Sequence, residues 1–213
     1  EDQTEILKAV RQFVDEQIIP VAQELEHADE YPQEIIDGLK ELGVFGLTIP
    51  EEFGGAGIDD YRYNVVLQEE AARALVTLST VRTQLEVILP YFLHYANAEQ
   101  RDRWFPGLAA GKLLTAIAMT EPGTGSDLAG MRTTAVRDGD DYIVNGAKTF
   151  ITGGMQADLV IVVARTNPEV KAARGTSLFI VDTDAPGLTR QHIPTALSAA
   201  EKQWTLFFDG VEL

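Results

Sequence analysis

The sequence predicts an α+β chain whose two kinds of element are segregated. An all-α helical bundle spans residues 1–112, and a β-sandwich or small barrel spans 113–213. Three observations predict it. Apolar residues recur at threes and fours up to about Lys112 and at twos beyond it. The helical and extended stretches form two blocks rather than alternating, which argues against a βαβ chain. At 213 residues, each block is long enough to bury a core of its own.

In the helical half, Ile6, Val10, Phe13 and Val14 set the first stripe, and Pro20 interrupts or restarts that helix. Tyr31-Pro32-Gln33-Glu34 opens the next, because a proline in the first turn lacks only an N–H that has no intrahelical acceptor. Ile35, Ile36, Leu39 and Leu42 form its buried stripe, and Gly43 stops it. The Pro- and Gly-rich loop LTIPEEFGGAGID (47–59) leads into a long helical stretch over 60–96, broken near Thr77–Thr80. Asn97-Ala98-Glu99-Gln100 supplies a polar cap with Gln three residues on, and the helix it starts runs to about Ala110 before Gly111. Leu85, Ile88, Leu89, Phe92 and Leu93 form a stripe that reads as core, with a ligand-facing wall as the open alternative.

In the second half, Thr133–Arg137 and Tyr142–Val144 flank Asp138-Gly139-Asp140, a hairpin signal. Asn145-Gly146 reads as a further turn into Lys148–Thr152. Leu159–Ala164, Thr176–Val181 and Thr205–Phe208 read as strands separated by the loops TNPEVKAARG and TDAPG.

Composition narrows the function classes. There is no cysteine, which excludes disulfides, thiolate metal ligands and a cysteine nucleophile. His27, His94 and His192 are dispersed, which argues against a histidine metal site. With 33 acidic and 17 basic residues the net charge is −16, which disfavours nucleic acid and anionic membranes as partners. An anionic cofactor is still compatible, since local backbone dipoles can hold phosphate. No apolar run approaches the roughly 20 residues of a membrane span. The acidic start Glu1-Asp2-Gln3-Thr4-Glu5 has no secretory or mitochondrial targeting pattern, so a cytoplasmic location is expected, with a mature mitochondrial form as the second reading. The chain does not begin with Met, which suits a processed, tagged or trimmed start.

The segment MTEPGTGSD (119–127) follows an apolar strand and precedes the hairpin. A P-loop requires Gly-Lys-Ser/Thr feeding a helix, and Gly125-Ser126-Asp127 lacks the lysine. A dinucleotide fingerprint requires a third glycine where Leu128 stands, and a βαβ unit. Both standard designs fail. A structured loop and a ligand site built from hydroxyls and bare amides are both left open. In either case Glu121 and Asp127 are expected to accept loop N–H bonds or point away from an anion.

The stretch AMTEPGTGSDLAGMRTTAVRDGDDYIVNGAKTFITGG (118–154) resembles the middle-domain signature of acyl-CoA dehydrogenases. ELGVFGLTIPEEFGGAGID resembles that family's N-terminal domain, and ANAEQRDRWFPGLAAGK the end of its helical bundle. ADLVIVVART, RGTSLFIVD and LFFDGVEL resemble the strands that follow. The resemblance implies an N-terminal α-bundle, a middle β-domain, a C-terminal helical domain and the cofactor FAD. It implies that Met119 and Thr120 lie along the isoalloxazine and bond its polar edge through backbone and hydroxyl. Gly125 and Ser126 would approach the pyrophosphate, Ser126 lying close to the acyl-CoA as well, while Glu121 and Pro122 fix the turn. Phe150-Ile151-Thr152 stands where the family most often has Trp-Ile-Thr/Ser. There the aromatic ring packs on the flavin and the Thr152 hydroxyl reaches towards N5, a donor that favours the reduced anion. The plain alternative makes Phe150 and Ile151 strand core.

The implied reaction is α,β-dehydrogenation of an acyl-CoA thioester, as in fatty-acid β-oxidation. A glutamate base removes the α-proton from a thioester with a polarised carbonyl while the β-hydride passes to flavin N5. The reduced flavin then hands electrons to an electron-transfer flavoprotein, and a homo- or hetero-oligomer, dimer or tetramer, is implied. The sequence departs from the family pattern in two places. It ends at LFFDGVEL, where relatives continue into the C-terminal domain that carries the glutamate, so this chain alone is expected to be inactive and no residue is assigned as base. HIPTALSAAEKQW (192–204) also lacks the family's Lys-x-Gly…Asp-Thr pattern. An oxygen-using flavoenzyme of the same fold, such as an acyl-CoA oxidase or flavin monooxygenase, and a non-catalytic subunit or fragment are the alternatives.

Overall fold

The computed structural model describes residues 2–24, 32–76, 78–171, 174–196 and 202–213. Expectations that fall on His27, Tyr31, Thr77 and positions 197–201 lie outside them. The chain divides into two compact units, one running to Leu113 and the other comprising Leu114–Ala196 with Lys202–Leu213. The first is helical and the second is a sheet, as the change of period requires.

The helical unit contains α1 (Asp2–Phe13), α2 (Gln33–Glu41), α3 (Arg62–Arg73), α4 (Ser79–Arg82), α5 (Leu89–Tyr95) and α6 (Ala98–Ala109). Leu85, Ile88, Leu89 and Phe92 are buried and Leu93 half-buried, which makes the stripe core in this unit. Leu42, expected in the α2 stripe, is exposed at the helix C-cap, and Gly43 follows in the left-handed conformation at φ 71°. Asn97 and Gln100 complete a reciprocal capping box, with Asn97 Oδ1 accepting from Gln100 N at 2.9 Å and Gln100 Oε1 from Asn97 N at 3.0 Å.

Two π-helical turns, Val14–Ile18 and Thr83–Ile88, share one cause. Each ends two residues before a proline, Pro20 or Pro90. The residue preceding that proline donates five back, Ile19 N to Val14 O and Leu89 N to Gln84 O. Proline lacks an N–H and its ring crowds the carbonyl four residues back, so a widened turn relieves both defects.

Among the described residues the β unit is one curled mixed sheet of seven strands: β1 (Thr115–Ala118), β2 (Thr134–Asp138), β3 (Asp141–Thr152), β4 (Leu159–Arg165), β5 (Thr176–Asp182), β6 (Leu188–Ile193) and β7 (Gln203–Glu212). β1 runs parallel to β4, which pairs antiparallel with β5. The β2–β3 hairpin continues antiparallel into β7 and then β6. Ala116, Val144, Ile151, Val160, Val162 and Leu206 contribute to the core of this unit.

Asn145-Gly146 is not a turn. β3 runs straight through it, and the irregularity is one extra residue on the facing strand, at Asp209-Gly210. Gly210 takes φ 64°, and its N–H donates to Asn145 Oδ1 at 2.9 Å. A second bulge follows at once, this time on β3, between Lys148 and Ile151. It holds Phe150 at φ 56°, a conformation unusual for a bulky residue.

Candidate functional site

The chain leaves β1 at Ala118 and turns sharply. Glu121 N donates to Thr124 O at 2.9 Å and Thr124 N to Glu121 O at 3.0 Å, which makes Glu121-Pro122-Gly123-Thr124 a tight turn. The Glu121 side chain faces inward. Its Oε2 accepts from Arg132 N at 2.7 Å, and its Oε1 from Thr133 N at 2.9 Å. Lys148, with 0% exposure, completes the cluster, its Nζ donating to Glu121 Oε1 at 2.9 Å and to Met119 O at 3.0 Å. Thr149 N donates to Thr120 O at 2.9 Å. Asp127 Oδ1 accepts from Ala129 N at 3.1 Å. Both acidic residues of the loop therefore hold its shape.

Burial alone would raise the Glu121 carboxyl. Hydrogen bonds from Thr133, Lys148 and the Arg132 amide outweigh that and hold it below the ordinary carboxylate range. Burial lowers the Lys148 pKa, and Glu121 offsets part of the effect.

The ties from Lys148 and Thr149 set Met119 and Thr120 directly beside the bulged segment of β3. In a regular pleat Phe150 would follow Lys148 inward. The extra residue turns it out instead, leaving its ring 62% exposed and passing the inward position to Ile151, which is 2% exposed. Ile151 is thus core through its side chain, and only its backbone is available to a ligand. Thr152 is half-buried, with its Oγ1 3.0 Å from Gln203 Nε2. The hydroxyl in turn lies within donating distance of Gln203 Oε1, at 3.2 Å. Met119 and Thr120 are half-buried, while Gly123, Gly125 and Ser126 are exposed. Nothing lies within 4 Å of where a side chain would start on Gly123 or Gly125, so the space beside their α-carbons is open.

Hydroxyls at Thr120, Ser126 and Thr152, exposed glycines near the loop tip and an exposed aromatic ring suit a large planar ligand bearing phosphate. Sequence reasoning passed over Lys148 and Gln203. Lys148 carried a signal: a cation at an inward position of a strand must have a buried partner. Gln203 carried none, since its role depends on pairing with a residue 51 positions away.

Residues 1–112 match the family model described as "Acyl-CoA dehydrogenase, N-terminal domain", and residues 116–211 the one described as "Acyl-CoA dehydrogenase, middle domain". The chain belongs to the acyl-CoA dehydrogenase family. It is 40% identical over 208 residues to the mitochondrial long-chain specific acyl-CoA dehydrogenase of Rattus norvegicus, covering 97% of this chain and 48% of that protein. The structure of an acyl-CoA dehydrogenase from Geobacillus kaustophilus superposes with a TM-score of 0.92 at 37% identity, over 100% of this chain and 56% of that one. A glutaryl-CoA dehydrogenase from Mycobacterium smegmatis, in complex with FADH2, gives 0.88 at 34% identity, over 100% and 54%. The chain spans about half the length of these relatives. Among the described residues no helix is long and apolar enough to cross a membrane.

Proposed function

We propose that the β unit carries the FAD-facing part of an enzyme that dehydrogenates acyl-CoA thioesters between Cα and Cβ. The observation that carries this reading is Phe150, an aromatic side chain that a strained bulge holds out of the core beside the Met119–Asp127 loop. In this reading Phe150 covers the ring system, and Met119, Thr120 and the backbone of Ile151 line it. Thr152 directs its hydroxyl to the reacting edge. Gly125 and Ser126 take the pyrophosphate, Ser126 meeting the acyl-CoA too. The glutaryl-CoA dehydrogenase with FADH2 supports the choice of cofactor. FAD, when bound, would accept the electron pair of the broken Cβ–H bond as a hydride, while the pair left at Cα becomes the new double bond.

Neither carboxylate of the loop is available as the base. Glu121 is engaged by Lys148 and two amides, and Asp127 caps Ala129. The base of the complete enzyme lies outside these segments in our reading, and so do the acyl pocket, the oligomer contacts of a dimer or tetramer and the docking of an electron-transfer flavoprotein. The long-chain and glutaryl-CoA enzymes share a thioester and differ in the acyl tail, so the thioester end is the substrate feature assigned here. A place in β-oxidation follows from that reading.

Titration of the 213-residue chain with FAD tests it. Quenched flavin fluorescence with saturation is expected, together with weaker uptake in Phe150→Ala. Unchanged fluorescence would overturn the reading for this chain. No acyl-CoA-dependent dye reduction is expected from the chain alone, and measurable turnover would show that it supplies its own base.

A further inference from the structure

We propose that Lys148, held by Glu121, is a positioning residue that fixes the Met119–Thr120 peptide and thereby aims the Thr120 N–H at a bound ligand. The geometry stands by itself; the identity of the ligand as FAD rests on the reading above.

The ladder between β1 and β4 ends at Ala118, opposite Val162, so the Met119 carbonyl has no strand partner. Lys148 Nζ takes it at 3.0 Å. The Met119–Thr120 peptide is trans, no cis bond occurring among the described residues, and in a planar trans peptide the N–H points opposite to the carbonyl. Drawing Met119 O inward therefore turns the Thr120 N–H away from the buried pair. The next peptide is fixed as well, because Thr120 O accepts from Thr149 N at 2.9 Å. With both flanking peptide planes held, the backbone of Thr120 has little freedom left, and the base of its hydroxyl is set too.

Lys148 itself has no room to swing. Its Nζ is anchored on Glu121 Oε1, and that carboxylate is pinned by the Arg132 and Thr133 amides. A charged donor holds a carbonyl about twice as strongly as a neutral one. Stability alone does not call for such a pair, since apolar residues of similar volume usually serve as well or better in a core. What the pair adds is a fixed direction for one peptide at the mouth of the loop.

The test compares the wild-type chain with the charge-neutral double variant Glu121→Gln/Lys148→Met and with Glu70→Gln, a lesion in the helical unit that leaves this cluster intact. In ligand-free protein the Met119 carbonyl carbon and the Thr120 amide are followed by heteronuclear NMR. Both signals are expected to shift in the double variant and to stay in place in Glu70→Gln, while β4 and β5 amides report an intact sheet. In FAD titrations the dissociation constant of the double variant is expected to rise about tenfold, the loss of one aimed hydrogen bond, with Glu70→Gln unchanged. Unmoved Met119 and Thr120 signals in a folded double variant would overturn the proposal, as would equal FAD affinity. If the wild-type chain takes up no FAD, the cofactor reading fails, and the two NMR signals still decide whether Lys148 sets the peptide.

Discussion

Glu70 in the helical unit and Glu121 in the β unit are both buried carboxylates, yet their partners reach them from opposite sides of the surface. Glu70 is served by arginines that keep contact with water. Arg11 donates through Nε and Nη2 at 3.0 and 2.6 Å, and Arg73 through Nε at 2.8 Å. The two side chains are 53% and 40% exposed, and Arg73 also reaches Asp15 at 2.6 Å. Glu121 is served by a lysine with no exposure and by two backbone amides. The first arrangement links α1, its π-turn and α3 through groups that water can solvate when a link is lost. The second has no such reserve. A cluster of that kind is costly to break, and its value lies in the geometry it enforces.

The sharpest break in this comparison is Lys148→Met alone. It strands a buried carboxylate and is expected to destabilise the β unit by about 3–5 kcal/mol, with most of that recovered in Glu121→Gln/Lys148→Met. The chain has two tryptophans, Trp104 in the helical unit and Trp204 in the β unit, so single-tryptophan backgrounds follow each unit separately in urea. Glu70→Gln, whose arginines stay hydrated, should cost only about 1–2 kcal/mol, read at Trp104. Equal losses at the two sites would erase the distinction.

Acid titration sharpens it differently. The Arg11 hydrogen bond, against burial, holds Glu70 below the ordinary carboxylate range, and Glu121 is depressed too. A depressed folded pKa contributes stability above the unfolded value that is lost as pH falls through the folded one. Both units should therefore weaken below about pH 4.5. Glu70→Gln should flatten the acid limb at Trp104 only, and Glu121→Gln at Trp204 only. The smallest effect expected is at Phe150→Gly. Relief of the left-handed backbone should raise stability by about 1 kcal/mol, while FAD uptake weakens. Loss of stability there would show that the ring contributes packing the exposed surface does not reveal.

The fold was legible where local chemistry decided it. Asn97 with Gln100, Gly43 and the Asp138-Gly139 hairpin act within a few residues of themselves, and each element lies where its pattern points. Reading failed where a distant strand decided. β6 carries Thr189, Arg190, Gln191 and His192 on a sheet edge that pairs, among the described residues, with β7 alone, so no apolar alternation marks it. Asn145-Gly146 has turn chemistry, but its neighbour Gly210, 65 positions on, absorbs the irregularity. The loop 119–127 and the Phe150 segment were legible as sequence motifs. The lysine joining them carried a signal in its inward strand position, which the turn reading of Asn145-Gly146 just before it obscured.

The two bulges of the β3–β7 pair are on opposite strands, and their offsets cancel. Val144 with Val211 and Ile151 with Trp204 belong to one register, while Gly146, Ala147 and Lys148 sit in a window slipped by one residue. One supernumerary residue opens the window on β7 and another closes it on β3. A deletion in either strand alone would throw one flank of the pair out of phase. A matched deletion of one residue from each strand would restore a plain ladder with the same inward set. As far as the core is concerned, then, the two insertions are redundant. What a shortened chain would forfeit is the outward-facing ring of Phe150.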